Sequence, residues 1–120
     1  VDMGLINHYY WYAKAKEIGA ENMTSKIAQF EGQDVGNLRN AAGVGILTEN
    51  PNAKVFVEYL LSQKGQQYFV DQTFEYPLVS GVEPYVGLTP LTDIPAPKFD
   101  LNDLDTLEKT LELIRQAGLI

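Results

Sequence analysis

Hydrophobic positions along the chain change their period several times, and each change marks a different element. Val1 to Asn7 is a mostly apolar run of the kind that forms a buried strand. From His8 the spacing becomes helical: Trp11, Ala15 and Ile18 share one face, and Gly19 is placed to stop the helix in a left-handed conformation. Lys26 to Phe30 alternates, which predicts a short edge strand with Ile27 and Phe30 turned inward, and the polar, glycine-containing stretch 31–37 is a loop. Asn40 to Leu47 reads as a strand of small residues, whose glycines would let another backbone or a ligand come close. Asn50-Pro51 has the chemistry of a helix start, a capping side chain followed by proline at the first helical position. Val55, Phe56, Tyr59 and Leu60 are the apolar stripe of that helix, and Ser62 caps a second one over Gln63 to Gln72 with Tyr68 and Phe69 inward. Thr73 to Val79 is extended, because Tyr76 precedes a proline. Pro77 to Pro97 contains five of the six prolines and is predicted to return over the surface with little regular structure. Asp105-Thr106-Leu107-Glu108 resembles a capping box, and Leu104, Leu107, Leu111 and Ile114 line a last helix that Gly118 ends. Strands and helices in this order predict the α/β class.

Composition narrows the possible partners. The chain has 120 residues, 45% of them apolar and 21% charged, which is ordinary for a folded domain. Its net charge of −7 argues against nucleic acid or an anionic membrane surface and favours cations. Without cysteine there is neither a disulfide framework nor a thiolate metal site. No run approaches the roughly 20 apolar residues of a membrane-spanning helix. The chain opens at Val1 directly into strand-like sequence, as expected of a piece cut from a longer protein.

The chemistry is concentrated in Asn7-His8-Tyr9-Tyr10-Trp11-Tyr12, at the expected junction of strand and helix. Adjacent side chains point to opposite faces of a strand and diverge by about 100° on a helix. A turn between the two conformations would let the phenols of Tyr9 and Tyr10 converge. A phenolate is a hard anionic oxygen donor suited to a hard cation. With an ordinary phenol pKa of about 10, it takes a highly charged ion, ferric iron above all, to displace the proton. The plainer alternative is aromatic packing with the hydroxyls hydrogen-bonded at the surface. His8 with its tyrosine neighbours has acid–base chemistry, but no nucleophile or second base stands at motif spacing, so an enzyme is not expected. Tyr12, Tyr59 and Tyr68 read as core; Glu75, beside Tyr76, reads as a solvated carboxylate, with a place lining the cleft as the alternative. Asp100, Asp103 and Asp105 lack the glycine and the spaced glutamate of a calcium loop, so helix capping is the better reading.

Gly4-Leu5-Ile6-Asn7-His8-Tyr9-Tyr10, Asn40-Ala41-Ala42-Gly43-Val44-Gly45, Leu60 to Phe69, Phe74-Glu75-Tyr76-Pro77-Leu78-Val79 and the closing 101–119 stretch occur here in a fixed order. In that order the chain resembles the C-terminal part of the ferric-iron-binding periplasmic proteins of ABC transporters. The resemblance implies part of a two-lobed type II periplasmic-binding-protein fold, with residues 1–39 and 91–120 in the C-terminal lobe and 40–90 in the N-terminal lobe. It implies that Tyr9 and Tyr10 are phenolate ligands to Fe³⁺, that Asn7 contacts a synergistic anion such as carbonate or phosphate, and that the cargo passes to a membrane permease. His8 stands where relatives commonly have asparagine, and no ligand role carries onto it. The remaining ligands would belong to an N-terminal part of the same protein. Alone, the 120-residue piece is expected to leave strand edges uncovered or to associate with copies of itself by swapping. The competing reading within the same fold is an organic solute, a polyamine or a cofactor, stacked on Tyr9 and Trp11.

Overall fold

A computed structural model describes residues 2–98, 100 and 106–120. Four α-helices organise them: α1 (His8–Ile18), α2 (Pro51–Leu60), α3 (Gln63–Thr73) and α4 (Leu107–Gln116). Single 3-10 turns lie at Ala20–Asn22, Val35–Asn37 and Leu91–Asp93.

The helix ends follow local chemistry. Asn50 accepts a hydrogen bond from the Asn52 N–H at 3.0 Å, with Pro51 at the first position of α2. Ser62 does the same for α3 through the Gly65 N–H at 3.1 Å. α1 stops at Gly19, whose φ of 89° is positive as expected but whose ψ of 132° lies outside the left-handed helical region. α4 ends in a paired motif: the N–H of Gly118 (φ 70°) bonds the Arg115 carbonyl and that of Leu119 bonds the Ile114 carbonyl. The expected capping aspartate, Asp105, and the helix-face residue Leu104 lie outside the described residues. Thr106 precedes α4 without a side-chain cap.

The strands expected at 1–7, 26–30 and 40–47 are absent among the described residues, where these segments run as unpaired chain. A strand exists through its neighbour, since its N–H and C=O groups must meet another strand's, and among the described residues no segment pairs with these. Phe30 illustrates the need. The buried Asn37 carboxamide takes both of its backbone groups, accepting from the Phe30 N–H at 3.1 Å and donating to its carbonyl at 2.7 Å. Phe30 itself is exposed rather than inward, its ring lying against Gly36. The glycines of 40–47 have nothing within reach of an added Cβ, so no close approach uses them here.

Among the described residues the buried apolar side chains gather in one region, where α1 and α3 meet the segment 74–88. Val70 and Phe74 are each 2% exposed, and Ala15, Val82 and Leu88 complete the buried apolar set. Phe74 adopts the left-handed conformation (φ 59°) that ends α3 and turns the chain back. The other expected inward faces stay open. Val55, Phe56, Tyr59 and Tyr68 are exposed although α2 packs on α3, and Tyr59 and Tyr68 line an open cleft between the two helices. The accessible surface is 9993 Å² and the radius of gyration 17.4 Å. A closed domain of this mass and length would have about 6,500 Å² and about 14 Å.

Candidate functional site

The sequence-predicted residues stand at the head of α1. Residues 2–7 approach it as extended chain, Asn7 occupies the N-cap with φ −69° and ψ 133°, and Tyr9 and Tyr10 fall in the first turn. Convergence was expected of a turn, not of a helix. It is nevertheless present inside the helix: the two phenol rings lie 4.7 Å apart between centroids and are tilted by 55°. Side chains of a first helical turn have no preceding turn to pack against, so two neighbours can lean toward each other there. Tyr10 is 59% exposed and Tyr9 half-buried, so the pair forms a rim rather than a core.

Asn7 joins the pair through its amide, which donates to the Tyr9 hydroxyl oxygen at 2.8 Å. The Tyr9 hydroxyl is raised above its ordinary pKa, first by desolvation and then by the charge and hydrogen bonding of the Tyr10 phenol. The Asn7 donor works against this, because an N–H aimed at the oxygen favours the phenolate, and the Glu75 carboxylate adds a small further rise. Glu75 is thus half-buried and electrostatically part of this rim, with its Oε2 accepting from the Thr73 hydroxyl at 2.7 Å. Of the two sequence readings of Glu75, cleft-lining and solvated, its half-buried place beside the rim favours the first, and that place follows from the fold of α3 back onto α1. The proline at position 77 was the one local signal, holding this segment extended.

What fastens the rim is a knot of aromatic residues beneath it. The His8 Nε2 bonds the Phe74 carbonyl at 2.8 Å, which makes Nε2 the protonated donor and commits it to structure. The His8 ring also meets Tyr9 edge-on, with centroids 5.5 Å apart, and lies 5.1 Å from Tyr76. Tyr12 donates to the Gly87 carbonyl at 2.7 Å, stacks on Phe74 and meets Tyr85 edge-on. Tyr76 donates to the Thr89 carbonyl. Burial raises the hydroxyls of Tyr12 and Tyr76 above their ordinary range; for Tyr76 the Tyr12 phenol adds to the rise and Arg39 opposes it. Trp11 turns elsewhere, its indole N–H reaching the Ser25 carbonyl at 3.2 Å. The structure therefore brings Asn7, Tyr9 and Tyr10 together and separates Trp11 from them.

Chemically, the rim holds two phenols, an amide and a nearby carboxylate. Among the described residues no group of three His, Asp or Glu side chains is placed to hold a metal ion, so any hard cation would rely on the phenols. Each must lose its proton to bind a cation.

No protein-family model matches the chain, and no solved structure matches it significantly. Curated proteins do. The "Major ferric iron-binding protein" of Neisseria meningitidis serogroup A is 33% identical over 122 residues, 99% of this chain and 37% of that protein. The "Fe(3+)-binding periplasmic protein" of Serratia marcescens is 32% identical over 124 residues, 100% of this chain and 36% of that protein. "Iron uptake protein A2" of a Synechocystis species is 31% identical over 90 residues, covering 68% and 26%. The chain spans little more than a third of the first two relatives. Over its whole length it is therefore a homologue of one segment of the ferric-iron-binding periplasmic proteins.

Proposed function

We propose that this chain is the C-terminal part of a solute-binding protein that captures ferric iron outside the cytoplasm, in the periplasm, and delivers it to the permease of an ABC transporter. Tyr9 and Tyr10 supply phenolate ligands to Fe³⁺, and Asn7 contributes to holding a synergistic anion, carbonate or phosphate. The observation that carries this reading is the convergence of two accessible phenols, 4.7 Å apart, on one rim at the head of α1. The position of Trp11 weighs against the organic-solute alternative, since a ligand stacked on Tyr9 would not also meet an indole held at Ser25.

The lobe division, 1–39 with 91–120 against 40–90, belongs to the same proposal. Arg39 supports it: its guanidinium donates to the carbonyls of Leu91 and Ile94, tying the two presumed crossings together. The bonds from α1 to 74–88 would then bridge the lobes, and an N-terminal part of the protein would cover the open faces of 40–47 and α2.

The test is colour. Ferric iron bound by phenolate has a visible charge-transfer band. In the full-length protein, Tyr9→Phe and Tyr10→Phe should each abolish the band or weaken iron binding by more than about 100-fold, because even an outer-shell partner of a ligand is typically worth about 10–100-fold. Folding should be unchanged by circular dichroism. Full colour in both variants would overturn the proposal.

A further inference from the structure

Asn7 occupies a helix N-cap and does not cap. Its backbone, at φ −69° and ψ 133°, has the extended conformation from which a side-chain oxygen ordinarily accepts an N–H of the first turn, yet no such bond forms. Asn50 is the direct control. It is the same residue at the same position with nearly the same backbone, φ −65° and ψ 120°, and its oxygen accepts from Asn52 at 3.0 Å. Ser62 also caps its helix. What distinguishes Asn7 is that its Nδ2 is directed to the Tyr9 hydroxyl oxygen at 2.8 Å.

We infer that Asn7 is a positioning residue for Tyr9: its amide N–H aims the Tyr9 oxygen along the rim beside Tyr10 and stays bonded to that oxygen when a ferric ion replaces the hydroxyl proton. The inference rests on the reading of Tyr9 as a ligand. In the exchange, the O–H bond of Tyr9 breaks, its electron pair forms the bond to iron, and the proton leaves to water. The N–H bond from Asn7 survives because a phenolic oxygen accepts it through a lone pair that the metal does not use. It strengthens as well, since donation to an anionic oxygen exceeds donation to a neutral one. The amide has a second N–H and a carbonyl oxygen, so the same residue can also meet an anion. Tyr10 is more exposed, and its ring lies against that of Tyr9. The two phenols are therefore unequal.

The experiment uses the full-length protein loaded from ferric nitrilotriacetate, with Asn7→Asp and Asn7→Ala beside the wild type. Aspartate keeps the shape of asparagine and caps helices equally well, but offers no donor at neutral pH. A hydrogen bond lowers the energy of the phenolate electron pair. Its loss in both variants should move the charge-transfer band to longer wavelength and weaken ferric binding about tenfold. In the iron-free protein, Tyr9→Phe should shift the Asn7 side-chain amide proton upfield in the ¹⁵N–¹H spectrum, and Tyr10→Phe should leave it in place. An Asn7→Asp protein with the band and affinity of the wild type would overturn the inference, because only capping or shape would then matter. Full colour and full ferric affinity in both Tyr9→Phe and Tyr10→Phe would instead overturn the ligand reading beneath it.

Discussion

Residues 40–47 and 74–88 are both apolar-rich segments without regular structure, yet one is wholly exposed and the other contains most of the core. The difference lies in what reaches them. Side chains from the helices fix 74–88 at many points: His8 at Phe74, Gln66 at Leu78 (2.7 Å), Gln63 at Ser80 (3.2 Å) and Tyr12 at Gly87. The Gln66 amide also bonds the Leu60 carbonyl, so one buried side chain ties the start of α3 to both the end of α2 and the returning chain. Among the described residues nothing comparable reaches 40–47, whose small and β-branched residues carry no long polar groups and suit backbone pairing instead. Irregular chain can be fixed by side chains that come to it, whereas strand-type chain waits for another backbone.

The comparison can be broken at its strongest point first. Phe74→Ala should cost about 3–5 kcal/mol, since the ring is 2% exposed and sits between Tyr12, Tyr85 and Lys16. A urea midpoint close to wild type would mean that 74–88 is not the core. Tyr12→Phe, which removes only the hydrogen bond to Gly87, should cost about 1 kcal/mol. The same hydroxyl makes the knot sensitive to base. The folded-state pKa values of Tyr12 and Tyr76 are raised, so their stabilising contribution is full below the ordinary value of about 10 and is lost as pH rises through the folded values. Thermal melts from neutral pH to strongly alkaline conditions should show this loss, and Tyr12→Phe should reduce it. The smallest effect belongs to the other segment. Leu47, 98% exposed, should tolerate alanine within about 0.5 kcal/mol in the 120-residue chain. A substantially larger cost for the same change in the full-length protein would sharpen the contrast, by placing 40–47 in a completed sheet.

Much of the local architecture and the core of the candidate site were legible in the residues alone. Asn50-Pro51, Ser62 and Gly118 marked helix ends because capping depends on groups within a few residues of one another, and all three act as expected. Tyr9-Tyr10 stood out as a pair of hard oxygen donors before any coordinates, and adjacency in sequence made their meeting in space a local matter. Tertiary structure decided what depends on distant partners. It showed that the first turn of α1, rather than a turn before it, brings the phenols together, and that Asn7 turns to Tyr9 instead of capping. It placed Glu75 and the His8–Phe74 bond beside the rim, contacts that join residues 66 positions apart. It also decided which apolar faces are covered: Val70 and Phe74 are, and Val55, Phe56 and the strand-like stretches are not. Periodicity records that a face is apolar, but burial requires a second surface, and only the folded chain brings one.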